Sequence, residues 1–312
     1  MRPSPDTAVP QVRATVATVA IVADADDWHV RSLAKALAGL GVKTQRLRLA
    51  DCRVDTASAS GLVLPGFEAD LPDAVLVRDM SGGTFESVTL RLGVLHAFSE
   101  LRIPVLNSAR AIERCVDKSM TSFLLARAGL PTPQTWAMES REAAAEIIQR
   151  DRAPLVLKPL FGSQGRGLRL IRNVEDLPAA HEVSGVYYLQ RFIAVEHDRF
   201  HDFRVLVSRG RVVAAMMRHS SHWVTNVKRG GKPVAAVADG IMRDLAIAAA
   251  GAVGADFAGV DIIYDRDARP TILEVNSMPA WSGLQRTTSI DIAAVLAGDL
   301  TASVTMQARQ GA

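Results

Sequence analysis

Three oxygen-bearing side chains stand close together near the end of the chain, in FAGVDIIYD and PTILEVNSM. Glu274 and Asn276 are two residues apart on an expected strand, so they project from one face. Asp261 lies on the preceding strand of the same expected hairpin, positioned to face them. The flanking residues Val260, Ile262, Leu273 and Val275 are apolar, so the polar groups interrupt a core pattern. A carboxylate buried without a counter-charge is costly. A salt-bridged edge hairpin would satisfy that requirement. So would a magnesium ion, which takes hard oxygen ligands and draws the rest from water and phosphates.

A second constellation is LVLKP, then LFGSQGRG, then LRLI. Gly162, Gly165 and Gly167 let backbone lie close over a ligand. N–H groups exposed in such a loop form an anion-binding nest. Lys158, ending the first strand, adds positive charge, and the set suits a polyphosphate. The spacing is not GxxxxGK[ST] and a strand follows, so this is not a P-loop. By itself the loop also fits a flexible hairpin. A third group gathers in 202–229, where Asp202 and Arg204 share a strand face and Arg218 lies on the return strand. Thr225 and Asn226 precede Arg229 in the following loop. Guanidinium groups pair with phosphate and carboxylate through double hydrogen bonds. Arg218 is placed to stabilise charge on a transferring phosphoryl group. His219, His222, Trp223 and Trp281 lie near these signals, but no third histidine or cysteine stands at metal spacing.

These residues need elements to hold them. The chain has 312 residues and an apolar fraction of 48%, enough for two or three packed units. Residues 1–13, with Pro3, Pro5 and Pro10, read as a loose tail. In 14–115, ATVATVAIVADA, VKTQRLRL, DAVLVRDM and IPVLNS read as strands. WHVRSLAKALAGLG and TFESVTLRLGVLHAFSEL read as the helices between them. That alternation predicts a parallel, doubly wound α/β sheet. Ligands of such sheets bind beyond the carboxyl ends of the strands, where Arg78 and Ser81 are candidates for an acidic substrate. From 116 the pattern becomes α+β, with units over 116–195 and 196–312. RCVDKSMTSFLLARAGLPTP reads as one helix, DFRVLVSRGRVVAAMMRHS as a hairpin turning near Gly210, and PVAAVADGIMRDLAIAAAGAVG as one long helix.

The balance of charge, +3, is too diffuse to indicate nucleic acid. Cys52 and Cys115 make neither a disulfide framework nor a zinc cluster. The first ~20 residues lack a signal-peptide core, and no run approaches the ~20 apolar residues of a membrane span. A cytoplasmic protein is the expectation, with a homo-oligomer left open.

DKSMTSFLLARAGLPTP, LVLKPLFGSQGRGLRLI, LQRFI, DFRVLV, AAMMRHS, TNVKRGG, AGVDII and EVNSMPAWSGLQRTTSID, in that order, resemble the RimK-like ATP-grasp ligases over about 108–293. The resemblance implies an ATP-grasp fold behind an N-terminal Rossmann-like domain. It also implies an ADP-forming carboxylate–amine ligase working through an acyl phosphate. Lys118 and Lys158 would hold ATP phosphates, and the loop bearing Gly162, Ser163, Gln164, Gly165 and Gly167 would close over them. Gln190, Arg191, Phe192 and Ile193 would meet adenine, and Asp202 the ribose side. Asp261, Glu274 and Asn276 would hold Mg2+, with Mn2+ able to substitute. Arg78, Arg204, Arg218, Thr225, Asn226 and Arg229 would face the substrates, with Arg204, Arg218 and Lys158 as catalytic groups. Two departures stand out: Val224, where RimK-type enzymes carry arginine, argues against the ribosomal-protein-modifying activity, and Arg191, where they carry an acid, is tolerable if adenine is read by backbone. The implied substrates are L-glutamate and a small-molecule acceptor. The stretch from Arg91 to Trp136 looks most like tetrahydromethanopterin-associated relatives. A protein-tail or carrier-protein ligase, an ATP-grasp kinase and a non-catalytic regulator are the rival readings.

Overall fold

The computed structural model describes residues 17–162, 164–195 and 200–310. The expected tail 1–13 and Ser163 lie outside the described residues. The first unit runs β1 (Thr18–Val22), α1 (Trp28–Gly39), β2 (Lys43–Leu47), a short hairpin β3 (Arg53–Val54) and β4 (Leu62–Val63), β5 (Ala74–Val77), α2 (Phe85–Glu100) and β6 (Val105–Leu106). Strands β2, β1, β5 and β6 pair in that order, all parallel. The pleat of β1 shows the two-sided burial such a sheet needs. Val19 and Ile21 pack with Leu33 and Leu37 of α1, while Ala20 and Val22 pack with Leu95 and Phe98 of α2. The β3–β4 hairpin was not anticipated, since its strands are only two residues each.

The second unit begins at α3 (Ala109–Val116) and α4 (Lys118–Arg127). The single helix expected here is broken at Asp117. That residue ends α3 and caps α4, its carboxylate accepting from Ser119 N and Met120 N. Cap preference of aspartate overrides the continuous helical pattern. The cap sets Lys118 at the first position of α4. Then come β7 (Thr135–Met138), α5 (Arg141–Asp151), β8 (Leu155–Lys158), β9 (Arg169–Ile171) and β10 (Tyr187–Arg191), in an antiparallel sheet ordered β7-β10-β8-β9.

The third unit holds β11 (Phe200–Ser208), β12 (Arg211–Ser220), β13 (Lys232–Ala236), α6 (Gly240–Val253), β14 (Phe257–Tyr264), β15 (Pro270–Asn276), α7 (Ser282–Gln285) and α8 (Ile292–Gln310). Its sheet is antiparallel, in the order β13-β12-β11-β14-β15. Residues 233–236, expected within a long helix, instead form the edge strand β13 against β12. Pro233 suits an edge strand, and Asp239 accepts from Met242 N to start α6 afresh. Alanine-rich sequence alone does not separate the two outcomes.

Helix α8 returns to pack on α1, so the last element closes the core of the first unit. Asn107 ties the units further. Its side chain donates to Phe257 O and Ser277 O and accepts from Phe257 N, all fully buried.

Candidate active site

The central strands of the third sheet carry charge into a buried setting. Register pairs Asp202 with Arg218 across β11–β12, Arg204 with Asp261 across β11–β14, and Asp261 with Glu274 across β14–β15. Arg218 is almost fully buried and donates to both oxygens of Asp202 and, at 2.9 Å, to Asp261. Arg204 donates to both oxygens of Asp261. Burial alone would raise the Asp261 pKa, but Arg204 and Arg218 outweigh it and hold the carboxyl well below the usual range. Burial likewise opposes the charge on Arg218, and Asp261 and Asp202 overcome it, so its pKa is raised.

Glu274 differs from its neighbours. It accepts from Asn276 Nδ2 at 3.1 Å and, among the described residues, forms no ion pair. That contact confirms that Glu274 and Asn276 share a face of β15. Asp261 stays directly opposite Glu274, and the register slips only beyond it, where Leu273 is left unpaired between Glu274 and Ile272.

Opposite this sheet lie the two lysines. Lys158, at the end of β8, is buried, and burial lowers its pKa against the favourable charge of Glu274. Lys118 is lowered in the same way, with Glu274 and Asp117 opposing, and its Nζ donates to Gly162 O at 2.8 Å and Leu160 O at 3.3 Å. The cap at Asp117 therefore aims Lys118 at the glycine-rich loop. That loop also meets the opposite wall. Gly165 has φ +69°, and a Cβ there would lie 2.6 Å from Asn226 Oδ1 and 2.9 Å from Val224 Cγ1. Only glycine lets the loop approach so closely.

One cleft gathers most of the residues singled out in the sequence. It is lined by Lys118, Lys158, Gly162, Gln164, Gly165, Gln190, Arg191, Phe192, Ile193, Asp202, Arg218, Thr225, Asn226, Asp261 and Glu274. Arg191 reaches out of it to pair with Asp151 at 2.6 Å. Asn276 lines an adjoining cavity that shares Lys118, Gly162 and Glu274 with the cleft. Gly167, Arg204, Arg229 and Arg78 do not line the cleft. Arg229 is exposed beyond Asn226, and Arg204 stands behind Asp261. Arg78 sits under Trp281, with its guanidinium 5.3 Å from the ring centre, and donates to Met278 O. It thus braces the turn after β15.

Sequence reasoning missed the apolar walls Val156, Ile263 and Leu273. Val156 was legible, two residues before Lys158 on the same strand face. Ile263 was legible in the same way, two residues after Asp261 on β14, whereas Leu273 needed the hairpin's register, in which a bulge leaves it unpaired.

A family model for the RimK-like ATP-grasp domain matches residues 115–300. The chain belongs to the RimK-like ATP-grasp family. It is similar to a tetrahydromethanopterin:alpha-L-glutamate ligase of Methanosarcina acetivorans, at 32% identity over 84% of this chain and 92% of the relative. It is also similar to a probable alpha-L-glutamate ligase of Legionella pneumophila (strain Corby), at 33% identity over 78% of this chain and 81% of the relative. Among solved structures, the ATP-grasp ligase PsnB complexed with a phosphomimetic precursor variant, Mg and ADP aligns with a TM-score of 0.72. There the identity is 22%, covering 93% of this chain and 100% of that one. The ATP-grasp fold expected from the sequence is the fold observed. This RimK-like protein is an ADP-forming ligase of amide-type bonds, in a family that uses ATP and magnesium.

Glu274 and the amide oxygen of Asn276 are hard donors of the kind magnesium takes, and Glu274 pairs with no cationic side chain among the described residues. Both oxygens of Asp261 already accept from Arg204, and one also from Arg218. Among the described residues, no helix is long and apolar enough to cross a membrane.

Proposed function

We propose that the protein joins L-glutamate to the carboxylate of a one-carbon coenzyme of tetrahydromethanopterin type, using Lys118, Lys158 and the loop 162–167 to hold ATP. The observation that carries the reading is the facing of buried Lys158, half-buried Lys118 and the loop against Asp261, Glu274 and Arg218 across one cleft. The Methanosarcina and Legionella relatives, a glutamate ligase and a probable one, support the choice of glutamate. Asp261, Glu274 and Asn276 would hold magnesium, or manganese in its place, and the ion would offset charge on the terminal phosphates. Gln190 to Ile193 would meet the base, with Val156, Ile263 and Leu273 as its apolar walls.

In this reading an acceptor carboxylate oxygen attacks the γ-phosphorus, the bond to the bridging oxygen breaks, and ADP leaves. Lys158 and Arg218 stabilise the charge spread over the phosphoryl oxygens. The amine of glutamate then attacks the acyl carbonyl, phosphate departs, and the amine proton passes to solvent. Thr225 and Asn226, which line the cleft, would orient carboxylates of the substrates, while Arg204 would hold Asp261 in place from behind. No side-chain nucleophile is required, and catalysis rests on positioning and electrostatics. The glycine-rich loop, closed on Val224 and Asn226, shields the acyl phosphate from water.

The test is phosphate release from ATP and magnesium with glutamate and acceptor supplied separately and together. Release that needs both, with an amide product by mass spectrometry, is expected. A stable phosphorylated acceptor with no free phosphate would identify a kinase instead.

A further inference from the structure

We infer that Asn107 is a positioning residue for the metal donors, an amide clamp from the first unit that holds the open end of the β14–β15 hairpin, where Glu274 and Asn276 sit. The inference rests on the ligase reading and adds to it what keeps those donors in place.

Three register pairs carry the donors: Gly259 with Asn276, Val260 with Val275 and Asp261 with Glu274. On one side this stretch ends at the bulge that leaves Leu273 unpaired. A bulge breaks the ladder and bends the strand. On the other side β15 ends at Asn276, and Ser277 has left the ladder. So short a stretch, interrupted at both ends, is poorly fixed by its own hydrogen bonds. Asn107 supplies the missing hold. Its Nδ2 donates to Phe257 O and to Ser277 O, each at 2.6 Å, and its Oδ1 accepts from Phe257 N at 2.9 Å. Phe257 opens β14 and Ser277 directly follows Asn276, so one amide grips both strands beside the donors.

Cohesion between the units does not ask for a polar group at this point. Leu106, next to Asn107, already lies in one apolar cluster with Phe257 and Trp281. An amide offers what packing cannot, a fixed direction: two donors and one acceptor that meet two carbonyls and one N–H in a single arrangement. Asn107 is fully buried, so water does not replace those bonds. The same residue fixes a second arm of the site. Ser108, next in the chain, caps α3 by accepting from Ala111 N, and α3 runs to Asp117, the cap that sets Lys118. Asn107 thus stands where the path to the metal donors and the path to the phosphate-side lysine meet. Partners that hold metal ligands from behind tune affinity without touching the ion.

The test is calorimetric titration of AMPPNP into the full chain, once with magnesium and once with EDTA. The ratio of the two affinities reports the metal donors, and the EDTA value reports the rest of the nucleotide site. Asn107→Ala should reduce the ratio by about tenfold, the scale for losing a partner behind metal ligands, and should keep the EDTA affinity of the parent. Asn107→Ser, which retains one donor, should fall between the two. Tyr187→Phe is the control, because Tyr187 is equally buried and its hydroxyl donates to Pro178 O in another sheet. It should lower the melting temperature and leave the ratio unchanged. An Asn107 variant that folds and keeps the ratio of the parent would overturn the inference. So would one that loses affinity equally with magnesium and with EDTA, the mark of a merely structural role. Should neither Asn107 variant fold, hydrogen exchange at the Phe257 amide of the metal-free parent decides. Protection matching the ladder neighbours on β14 is expected, and exchange as fast as in the exposed turn at 266–269 would overturn the clamp. A parent that binds AMPPNP equally with magnesium and EDTA would instead remove the metal site, and the ligase reading with it.

Discussion

Both carboxylate oxygens of Asp261 accept from Arg204, at 2.7 Å from Nε and 2.7 Å from Nη2. One of them also accepts from Arg218. A carboxylate this buried is tolerable only because two guanidinium groups surround it. Removing one partner of a buried pair leaves an uncompensated charge, at a cost of about 3–5 kcal/mol. Arg204→Ala is therefore expected to lower the melting temperature sharply as well as activity. Calorimetry of the purified variant checks this, and an unchanged melting temperature would refute the pairing.

Glu274 presents the opposite case. It is only half-buried and forms no ion pair among the described residues, so folding asks little of it. Glu274→Gln keeps the size and the Asn276 contact while removing the charge. Turnover should fall by at least about 10²-fold, the scale of losing one electrostatic group at the reacting centre. The melting temperature should stay close to that of the parent, and magnesium titration of nucleotide binding should require much more metal. Turnover within a factor of two of the parent would refute the metal assignment.

The closure of the glycine-rich loop is tested at Gly165. Alanine there meets Asn226 and Val224 and must also adopt φ near +69°. We expect Gly165→Ala to hold the loop off the 224–226 segment. Phosphate release without amide formation should then rise, because water reaches the acyl phosphate. The ratio of phosphate to amide product reports this directly. Gly231→Ala offers a harsher contrast, since its Cβ would lie 1.9 Å from Thr225 O and the whole loop must move.

A pH dependence follows from His29. Its Nε2 accepts from Trp281 N at 3.2 Å and Ser282 N at 3.3 Å, so the ring proton sits on Nδ1 and faces Asp27 at 2.9 Å. Burial first, and then the charge of Arg78, lowers its pKa below 6.5, against the opposing pull of Asp27. The unfolded chain binds this proton more readily than the native one. Stability from this group is therefore full above pH 6.5 and is lost as pH falls from there towards the lowered pKa. His29→Ala should cost about 1–3 kcal/mol near pH 7.5, for two buried N–H groups left without an acceptor. The gap between variant and parent should narrow at pH 5.5. Melting curves at both values decide it, and a gap that widens on acidification would contradict the tautomer.

What the sequence by itself determined were the groups bound by local rules. Strand periodicity put Glu274 with Asn276 on one face, and the run from LVLKP to LRLI marked a strand, a glycine loop and a strand. The alternation of strands and helices in the first hundred residues read correctly as a parallel sheet. Local propensity was misleading where two structures share a composition, as in the alanine-rich stretch that became β13 and then α6. The tertiary structure alone decided the partners. Arg204 read as a group facing a substrate, yet register turns it onto Asp261, while Arg218 does line the cleft, held there by Asp202 and Asp261. Arg78 read as a ligand at a strand end, yet the carbonyl of Met278 and the ring of Trp281, far along the chain, close on it. Pairing between distant strands depends on register and crossing connections, which the spacing within one segment does not contain. For the same reason the hold of Asn107 on Phe257 and Ser277 was invisible until two units, far apart in the chain, were packed together.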